Sequence, residues 1–493
     1  MIGPQLAMFT QDVMSSPFVA QLMGDLMQRQ GRSMQLVARL HDRSIGSPAL
    51  WPFHAVPMPV SIAEAQGARL RDADGNEYLD LFLGFGTQAL HGHNPPHVVD
   101  AVRRSLGKTV GNGYFHEIEL ELTEVLRTLA PANEAFIFLN SGTDATDAAV
   151  RLCRAKTGRR LMVKMESAVH GTHDWGVQSS VALMHGHPFQ PWPAHSPDGV
   201  QAVPFARGVS PASRDDLLIL PHLDLDALSL LDARRDEIAC VIAESCNISF
   251  PFPEKCLPYL RALSERCKAL GIPFILDEVQ TGFRWGPGGV AHSEGIDADL
   301  RVYGKVLSGL GVPLSAVGGP LSLLGEARTT GLNMTDFGQK TTLMTTHMGN
   351  HLALLASHAS LSHLLEKGDA YYVRQRARLA RLQARLSALR DEEDIPLHLV
   401  GYGDFIGTFL LATGHERARN ARQLAECVNP AATLLLSLTL RRRGIYTYSW
   451  PFLFLGDAYT DEDIDTIGDT VIAAARELRD GGVPLVVPWA QTA

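Results

Sequence analysis

Short apolar runs alternate with segments of helical periodicity between about residues 69 and 330. The runs at 136–139, 240–243 and 272–276 are typical of strands that a sheet buries on both faces. This alternation predicts an α/β fold with a mostly parallel sheet covered by helices. Because ligands of such sheets bind beyond the carboxyl ends of the strands, we expect functional side chains at those ends.

The pattern becomes more helical after about residue 335, with long charged stretches between apolar positions. We therefore expect three segments. An N-terminal helical extension with a small-domain segment covers 1–68, a large domain covers 69–333, and a C-terminal small domain covers 334–493.

Several helix ends carry residues that favour a start or a stop. Ser16 and Pro17 suit the N-cap and first position of a helix. Thr460 with Asp463 resembles a capping box, and Gly158 suits the residue that follows a helix. Residues 178–215 are rich in Pro, His and Ser and lack periodicity, which is typical of a lid or a disordered segment.

The composition excludes several classes of protein. The chain has 493 residues and a net charge of −9, and it lacks the basic stripe of a nucleic-acid binder. No apolar run reaches the ~20 residues of a membrane span. The six cysteines are scattered without C-x-x-C spacing, so we expect reduced thiols and a cytoplasmic location. The histidine clusters at 91–97 and 185–187 lack cysteine or acidic partners at ligand spacing, so no metal site is expected.

Two strand-like runs end on residues of opposite charge. The run 272–276 leads into Asp277, and the run 299–304 leads into Lys305. A carboxylate and an amine at neighbouring strand ends suit a pyridoxal phosphate enzyme, in which lysine binds the aldehyde and the carboxylate keeps the ring nitrogen protonated. Two surface charges flanking buried strands would give the same pattern.

A third strand-like run, 136–139, breaks at Ser141, Gly142 and Thr143 before an alanine-rich helical segment. Backbone N–H groups at a helix start, together with small hydroxyl side chains, can bind a phosphate. An ordinary N-cap is the competing interpretation of this short motif. The chain contains no G-x-x-x-x-G-K-[ST] loop.

Together these segments resemble the class III aminotransferases, a branch of the fold-type I pyridoxal phosphate enzymes, over residues 57 to 480. The resemblance implies a large domain and a smaller α+β domain built from both termini. The matching stretches are 140–145, 170–171, 277–284 and 304–305, with weaker matches at 72–80 and 346–350.

The resemblance implies a role for each matched residue. Lys305 would form the Schiff base and then move the proton, and Asp277 would pair with the pyridinium nitrogen. The other implied cofactor-binding residues are Ser141, Gly142 and Thr143 at the phosphate, Val279 at a ring face, Gln280 at the phenolic oxygen, His170, Glu244 in a supporting role, and Thr346 from the neighbouring subunit of a homodimer.

The chain departs from the family pattern at several positions. Val169 stands where an aromatic residue usually stacks on the ring, and the stretch 449–459 has no arginine for a substrate carboxylate. This stretch looks closest to the glutamate-1-semialdehyde aminomutase-like subgroup. Phe85 and Trp450 are the substrate-side residues that this resemblance implies.

The reaction that the resemblance implies first is amino-group transfer between an amine or amino-acid donor and a carbonyl acceptor. An aminomutase or an amino-acid racemase of the same fold needs the same Lys305 and Asp277, so the sequence does not separate them. A catalytically dead homologue is disfavoured because Lys305, Asp277, Gln280 and Thr346 are all present.

Overall fold

The computed structural model describes residues 16–41, 43, 59–180, 192–246, 249–329, 331, 336, 338–402 and 406–486. By the proximity of its backbone, the chain groups into two units. The first unit comprises Met1–Pro95, Val373–Ala418 and Glu426–Ala493, and the second comprises Pro96–Tyr372 and Arg419–Ala425.

The strands are numbered in chain order. They are β1 Ile62–Gln66, β2 Arg69–Asp72, β3 Glu77–Asp80, β4 Ala135–Leu139, β5 Leu161–Met165, β6 His195–Ser196, β7 Gly199–Val200, β8 Leu217–Leu220, β9 Ile238–Glu244, β10 Phe274–Asp277, β11 Leu300–Tyr303, β12 Ser315–Gly319, β13 Leu397–Tyr402, β14 Ile406–Leu411, β15 Ile445–Tyr446 and β16 Phe452–Phe454.

The α-helices of the described residues alternate with these strands in the middle of the chain and predominate near its end. They are Pro17–Arg29, Gly31–His41, Pro96–Ser105, Glu117–Leu129, Gly142–Thr157, Ser229–Ala233, Pro253–Leu270, Gly289–Glu294, Leu321–Leu324, His351–Lys367, Asp369–Glu393, Ala421–Cys427, Pro430–Arg442 and Asp461–Asp480.

The second unit is built on a seven-stranded sheet in the order β4-β12-β11-β10-β9-β5-β8. All neighbours pair in parallel except β12, which is antiparallel to both β11 and β4. The inner strands are buried on both faces, which explains why the sequence reads as apolar runs rather than as alternation. The predicted α/β fold is therefore confirmed.

The register of the sheet brings the carboxyl ends of several strands together. Asp277, the last residue of β10, lies opposite Glu244 of β9 on one side and Val302 of β11 on the other. Strand β4 runs in the same direction as β11, because both are antiparallel to β12. The carboxyl ends of β4, β9, β10 and β11 consequently share one edge of the sheet.

The helix Gly142–Thr157 begins at this edge, directly after β4. Ser141 caps it through a reciprocal capping box with Asp144, and Gly158 closes it in the left-handed conformation at φ 67°. Its alanine-rich face packs on the sheet, with Ala145 and Ala149 fully buried. The small side chains let the helix approach the strands closely, which places the loop Ser141–Thr143 at this edge of the sheet.

The first unit contains two antiparallel-dominated sheets, β1-β2-β3-β15 and β13-β14-β16. The predicted hairpin at 72–80 is present, and its turn is held by the Asp72 carboxylate, which accepts from the Asn76 backbone N–H at 2.8 Å. The predicted capping box of Thr460 with Asp463 starts the helix Asp461–Asp480. The helix Pro17–Arg29 also starts where its Ser-Pro signal predicts, and it packs on Pro430–Arg442.

The chain passes from one unit to the other after residues 95, 372, 418 and 425. The three segments expected from the sequence, 1–68, 69–333 and 334–493, stay a prediction. Strands β2 and β3 pair with β1 and β15, which groups residues 69–95 with the terminal segments. The helix His351–Lys367 packs on Glu117–Leu129, which groups it with the central segment. Strand pairing and helix packing between distant segments set these limits, and local patterns do not report them.

Residues 181–191 of the predicted lid or disordered segment lie outside the described residues. Its described part contains the short antiparallel pair β6–β7. Among the described helices, none has the length and apolarity that crossing a membrane would require.

Candidate active site

Asp277 is buried at the carboxyl end of β10 and is held by two hydrogen bonds. Its Oδ2 lies 2.8 Å from Nδ1 of His170, and its Oδ1 accepts from the Val279 backbone N–H at 3.0 Å. Burial lowers the pKa of His170, although the hydrogen bond to Asp277 opposes this shift. A neutral imidazole that donates from Nδ1 leaves the negative charge on Asp277 and fixes the plane of the carboxylate.

Lys305 follows β11 by two residues and starts a short 3₁₀ turn, Lys305–Ser308. Its backbone is left-handed at φ 45°, a conformation that costs a non-glycine residue about 1–2 kcal/mol. Burial lowers the pKa of its amine to about 8, and the charge of Arg284 acts in the same direction, while Asp277 and Glu244 oppose the shift. The lowered pKa increases the neutral, nucleophilic fraction of the amine near pH 7.

Glu244 ends β9 beside Asp277, and its Oε2 accepts from the Val169 backbone N–H at 3.1 Å. Burial raises its pKa to about 8, and the neighbouring charge of Asp277 adds to the shift. The carboxyl group therefore anchors the loop that carries Val169 and His170. Its implied supporting role stays a prediction.

Val279 lies between two glycines that leave room for its side chain. A Cβ atom at Gly142 or at Gly304 would come within 3.2 Å of a Val279 methyl group. The start of the Gly142–Thr157 helix and the end of β11 thus both approach Val279. The structure brings together three segments that lie far apart in the sequence.

Two buried nitrogen atoms near this edge lack a hydrogen-bond partner within the described part of the chain. They are Nε2 of Gln280 and Nε2 of His170. A buried donor left unsatisfied costs about 1–3 kcal/mol, so such atoms are rare unless a ligand or water completes them. The side-chain amide of Gln280 therefore offers a donor for a ligand oxygen. The other ring nitrogen of His170, Nδ1, already contacts Asp277.

The phosphate-type loop is ordered by its own side chains. Ser141 Oγ accepts from the Asp144 backbone N–H at 3.1 Å, and the Asp144 carboxylate accepts from the Ser141 N–H at 3.1 Å. Thr143 lies close to Gly171, where an added Cβ would meet its Oγ1 at 2.7 Å. Both backbone N–H groups are thus used within the loop, and the implied phosphate-binding roles of Ser141, Gly142 and Thr143 stay predictions.

Thr346 is exposed, and its neighbour Thr345 accepts a hydrogen bond from Asn140 of the same chain at 2.8 Å. The segment around Thr346 thus passes beside the phosphate-type loop of its own chain. The implied contribution of Thr346 to a neighbouring subunit stays a prediction.

The two substrate-side residues lie in the first unit, and both are half-buried. The Phe85 ring packs edge-on against Phe82 at 5.5 Å and against Phe452 at 6.0 Å. Phe452 is 6% exposed, so it belongs to the core of this unit, whereas Phe85 keeps part of its surface accessible. The implied roles of Phe85 and Trp450 stay predictions.

Sequence reasoning missed two buried charged residues. Glu278 is fully buried and accepts from the backbone N–H groups of Val290 and Ala291 at the start of Gly289–Glu294. Lys164 is fully buried in β5. Its signal was a single lysine inside the apolar run 161–165, which no local pattern explains.

The family model Aminotransferase class-III matches residues 52–437. The chain belongs to the class III aminotransferases. The predicted family is therefore confirmed. Pyridoxal 5′-phosphate is the cofactor of this enzyme family, and solved neighbours of the fold contain it or its amine form.

The chain is similar to proteins with different activities. Glutamate-1-semialdehyde 2,1-aminomutase of Chloroflexus aggregans is 33% identical over 83% of this chain and 88% of that protein. An omega-transaminase from Sphaerobacter thermophilus has a TM-score of 0.78 at 25% identity, covering 91% of this chain and 98% of that one. A beta-phenylalanine aminotransferase from Variovorax paradoxus has a TM-score of 0.76 at 26% identity, covering 96% and 100%.

Proposed function

We propose that this class III enzyme is an aminotransferase that moves an amino group between an amine or amino-acid donor and a carbonyl acceptor. The observation that carries the proposal is the group of buried charges at one sheet edge. There, Asp277 is oriented by His170 and lies opposite Glu244, and both carboxyl groups act on the pKa of Lys305.

The residues at this edge fit the cofactor by their hydrogen-bonding chemistry. We assign Asp277 to the ring nitrogen, Val279 to one ring face, and Ser141, Gly142 and Thr143 to the phosphate. The donor on Gln280, unsatisfied within the described residues, suits the phenolic oxygen. A buried anion facing the ring nitrogen keeps that nitrogen protonated.

When bound, the cofactor supplies an aldehyde that takes the amino group and a ring that withdraws electrons from the substrate carbon. Lys305 would hold the aldehyde covalently at rest. Once a donor amine has displaced it, its Nζ would take the proton from the substrate α-carbon and return it during the transfer. A pKa of about 8 suits both tasks, because the amine is then partly neutral near pH 7.

An aminomutase is the second candidate, and the similarity to a glutamate-1-semialdehyde 2,1-aminomutase at 33% identity favours it. Such an enzyme moves the amino group within one molecule and needs the same lysine and aspartate. A racemase of this fold would share them too. The aminotransferase, the aminomutase and the racemase therefore differ in the cofactor form and the product that accumulate after the donor reacts.

We expect a panel of single amines and amino acids, each added without acceptor, to convert the bound cofactor to its amine form with at least one donor. The measurement is the lasting loss of the aldehyde-type absorbance at stoichiometric enzyme. An aminotransferase stops at this form because the carbonyl product leaves. Isomerised product without lasting conversion would support the mutase, and loss of optical rotation alone would support the racemase.

The same panel tests the substrate class. Because the stretch 449–459 contains no arginine and Phe85 and Trp450 keep accessible aromatic surface, we expect sizeable, partly apolar substrates to react fastest. The Phe85→Ala and Trp450→Ala variants should lose this preference, whereas Phe136→Ala, which alters an aromatic residue of strand β4, serves as control. Faster reaction of glutamate or 2-oxoglutarate than of every bulky apolar compound would contradict this assignment.

We further infer a homodimer with shared active sites. The segment 106–120 exposes several large apolar side chains, among them Tyr114 and Phe115, which are 68% and fully exposed. This segment contacts the Thr346 region, since Asn112 lies 2.8 Å from His347 and the Val110 N–H donates to His351. Exposed apolar surface of this kind favours association, and a two-fold axis would supply two equivalent sites.

Mixing two inactive variants tests the shared site. Lys305→Ala and Thr346→Trp should each be inactive, and subunit exchange between them should restore up to about half of the sites in the mixed dimers, because one site of each then has both intact residues. The control is Lys305→Ala mixed with itself. No recovery in dimers proven to be mixed, or a mass in solution equal to the single chain of 53.7 kDa, would refute sharing.

The six cysteines are all buried and free. Reduced thiols are typical of a reducing compartment, so we infer that the enzyme acts in the cytoplasm.

A further inference from the structure

Lys164 is a buried cation outside the cofactor-binding set. It lies in β5, the neighbour of β9 in the central sheet, and its side chain is inaccessible to solvent. Lysine is almost never fully buried unless its amine is well satisfied. Its contacts therefore deserve a functional explanation.

The Lys164 amine donates to atoms at both ends of the loop that follows β5. Its Nζ lies 2.7 Å from the Gln178 carbonyl, 2.9 Å from Ser180 Oγ and 3.0 Å from the Ala168 carbonyl, with the Gly176 carbonyl at 3.4 Å. An ammonium group has three donors, and the three shorter contacts use all of them. One side chain thus ties residue 168 to residues 178 and 180.

The opposite side of this loop forms part of the active site. The Val169 N–H donates to Glu244, and the His170 ring contacts Asp277. The His170 carbonyl in turn accepts from Thr146 Oγ1 at 2.6 Å. The loop is therefore held by hydrogen bonds to Glu244 and Asp277 and, through other atoms, by hydrogen bonds from Lys164.

We propose that Lys164 is a positioning residue, which fixes the loop 166–180 so that His170 orients Asp277. Without the amine, the Ala168 carbonyl, the Gln178 carbonyl and Ser180 Oγ each lose a buried donor, so the loop must rearrange to satisfy them. The inference rests on the proposed role of Asp277. The loop's own order, however, can be measured whether or not that role is correct.

The charges around Lys164 are balanced closely. Glu244 and Glu166 raise the pKa of Lys164, but burial lowers it more strongly, to about 7. His170 and His173 are the other titratable groups that face the amine. A neutral amine has two N–H donors for the three acceptors. The geometry of the contacts, which places three acceptors around one amine, is that of the charged form.

The test compares Lys164→Met with Lys156→Met in the full-length protein, loaded with cofactor and after its removal. Methionine keeps the length and apolar bulk of the buried side chain but has no donor. Lys156 is a partly exposed lysine that pairs with Glu326, so its variant controls for loss of a positive charge in the same unit. The probes are hydrogen exchange of backbone amides and the affinity for pyridoxamine phosphate, which needs no bond to Lys305.

In Lys164→Met we expect amides of 168–180 to exchange at least tenfold faster, with those of Pro253–Leu270 unchanged. We also expect pyridoxamine phosphate to bind about tenfold more weakly, because Asp277 is held less firmly. For the same reason, the midpoint of the pH-dependent change in cofactor absorbance should shift. Lys156→Met should match the wild type in each measurement. Faster exchange of the loop amides with unchanged cofactor binding would support the contact between Lys164 and the loop. It would overturn the proposed link between that loop and the orientation of Asp277.

Unchanged exchange of residues 168–180, or an equal increase along the whole chain, would overturn the proposal, because Lys164 would then be dispensable or would act on overall stability. Should Lys164→Met fail to fold, Ser180→Ala removes one of the three acceptors and keeps the amine. We then expect a severalfold increase of exchange confined to the same loop. Its absence in a folded Ser180→Ala protein would count against the proposal equally.

Discussion

Replacing Lys305 with alanine is expected to lower turnover by about 10⁴-fold or more, the scale seen when a nucleophile that acts as part of a unit is removed. The variant loses both the covalent attachment and the base that moves the proton. Borohydride reduction followed by peptide mass spectrometry should find the cofactor on the peptide that contains Lys305 in the wild type and on no peptide in the variant. The phosphate contacts should still allow noncovalent binding.

Lys268→Ala is the matched control, because Lys268 is an exposed lysine paired with Asp297. It should keep the wild-type rate and the reduced adduct on Lys305. Substantial turnover of Lys305→Ala, or an adduct on another lysine such as Lys164, would contradict the assignment.

Replacing Asp277 with asparagine is expected to slow proton removal from the substrate by about 3–5 kcal/mol, the cost of removing one partner of a buried charge pair. Asparagine keeps the size of the side chain and an acceptor for the Val279 N–H, but it carries no charge to hold the ring nitrogen protonated. Single-turnover rates with a fast donor should fall by about two to four orders of magnitude. The pH dependence of the cofactor absorbance should change as well.

Asp299→Asn tests whether this effect belongs to the site. The Asp299 carboxylate accepts from the Phe274 N–H at the opposite end of the same strand, at 2.8 Å. Its replacement should alter stability while leaving the single-turnover rate near that of the wild type. Equal rate losses in both variants would show that strand β10 is simply disrupted, and near-normal turnover of Asp277→Asn would contradict the role of its charge.

The sequence by itself determined the layer architecture and the sheet edge at which the candidate site lies. Strands buried on both faces must be apolar throughout, so 240–243 and 272–276 were recognisable as parallel strands. Capping depends on neighbouring residues alone, so the box at Thr460 was recognisable in the sequence. Asp277 and Lys305 were proposed as site residues because Asp277 ends the run that forms β10 and Lys305 follows β11 by two residues.

Only the tertiary structure decided which of these residues meet. His170 contacts Asp277 across 107 positions, and the register of β9 against β10 sets Glu244 beside Asp277. Burial then moves the pKa of Glu244 and of Lys305 to about 8, a shift that depends on solvent exclusion by distant segments. The grouping of residues 69–95 with the terminal segments also depends on pairing with β15.

Lys164 shows the physical reason most clearly. A lysine in an apolar strand conflicts with every local preference, and its burial is tolerated because three acceptors from a later loop surround its amine. Periodicity, capping and strand composition are encoded by adjacent residues, so they can be read along the chain. Hydrogen-bond partners, dielectric environment and register arise when distant segments pack, and these bring the strand ends of this protein together in the candidate active site.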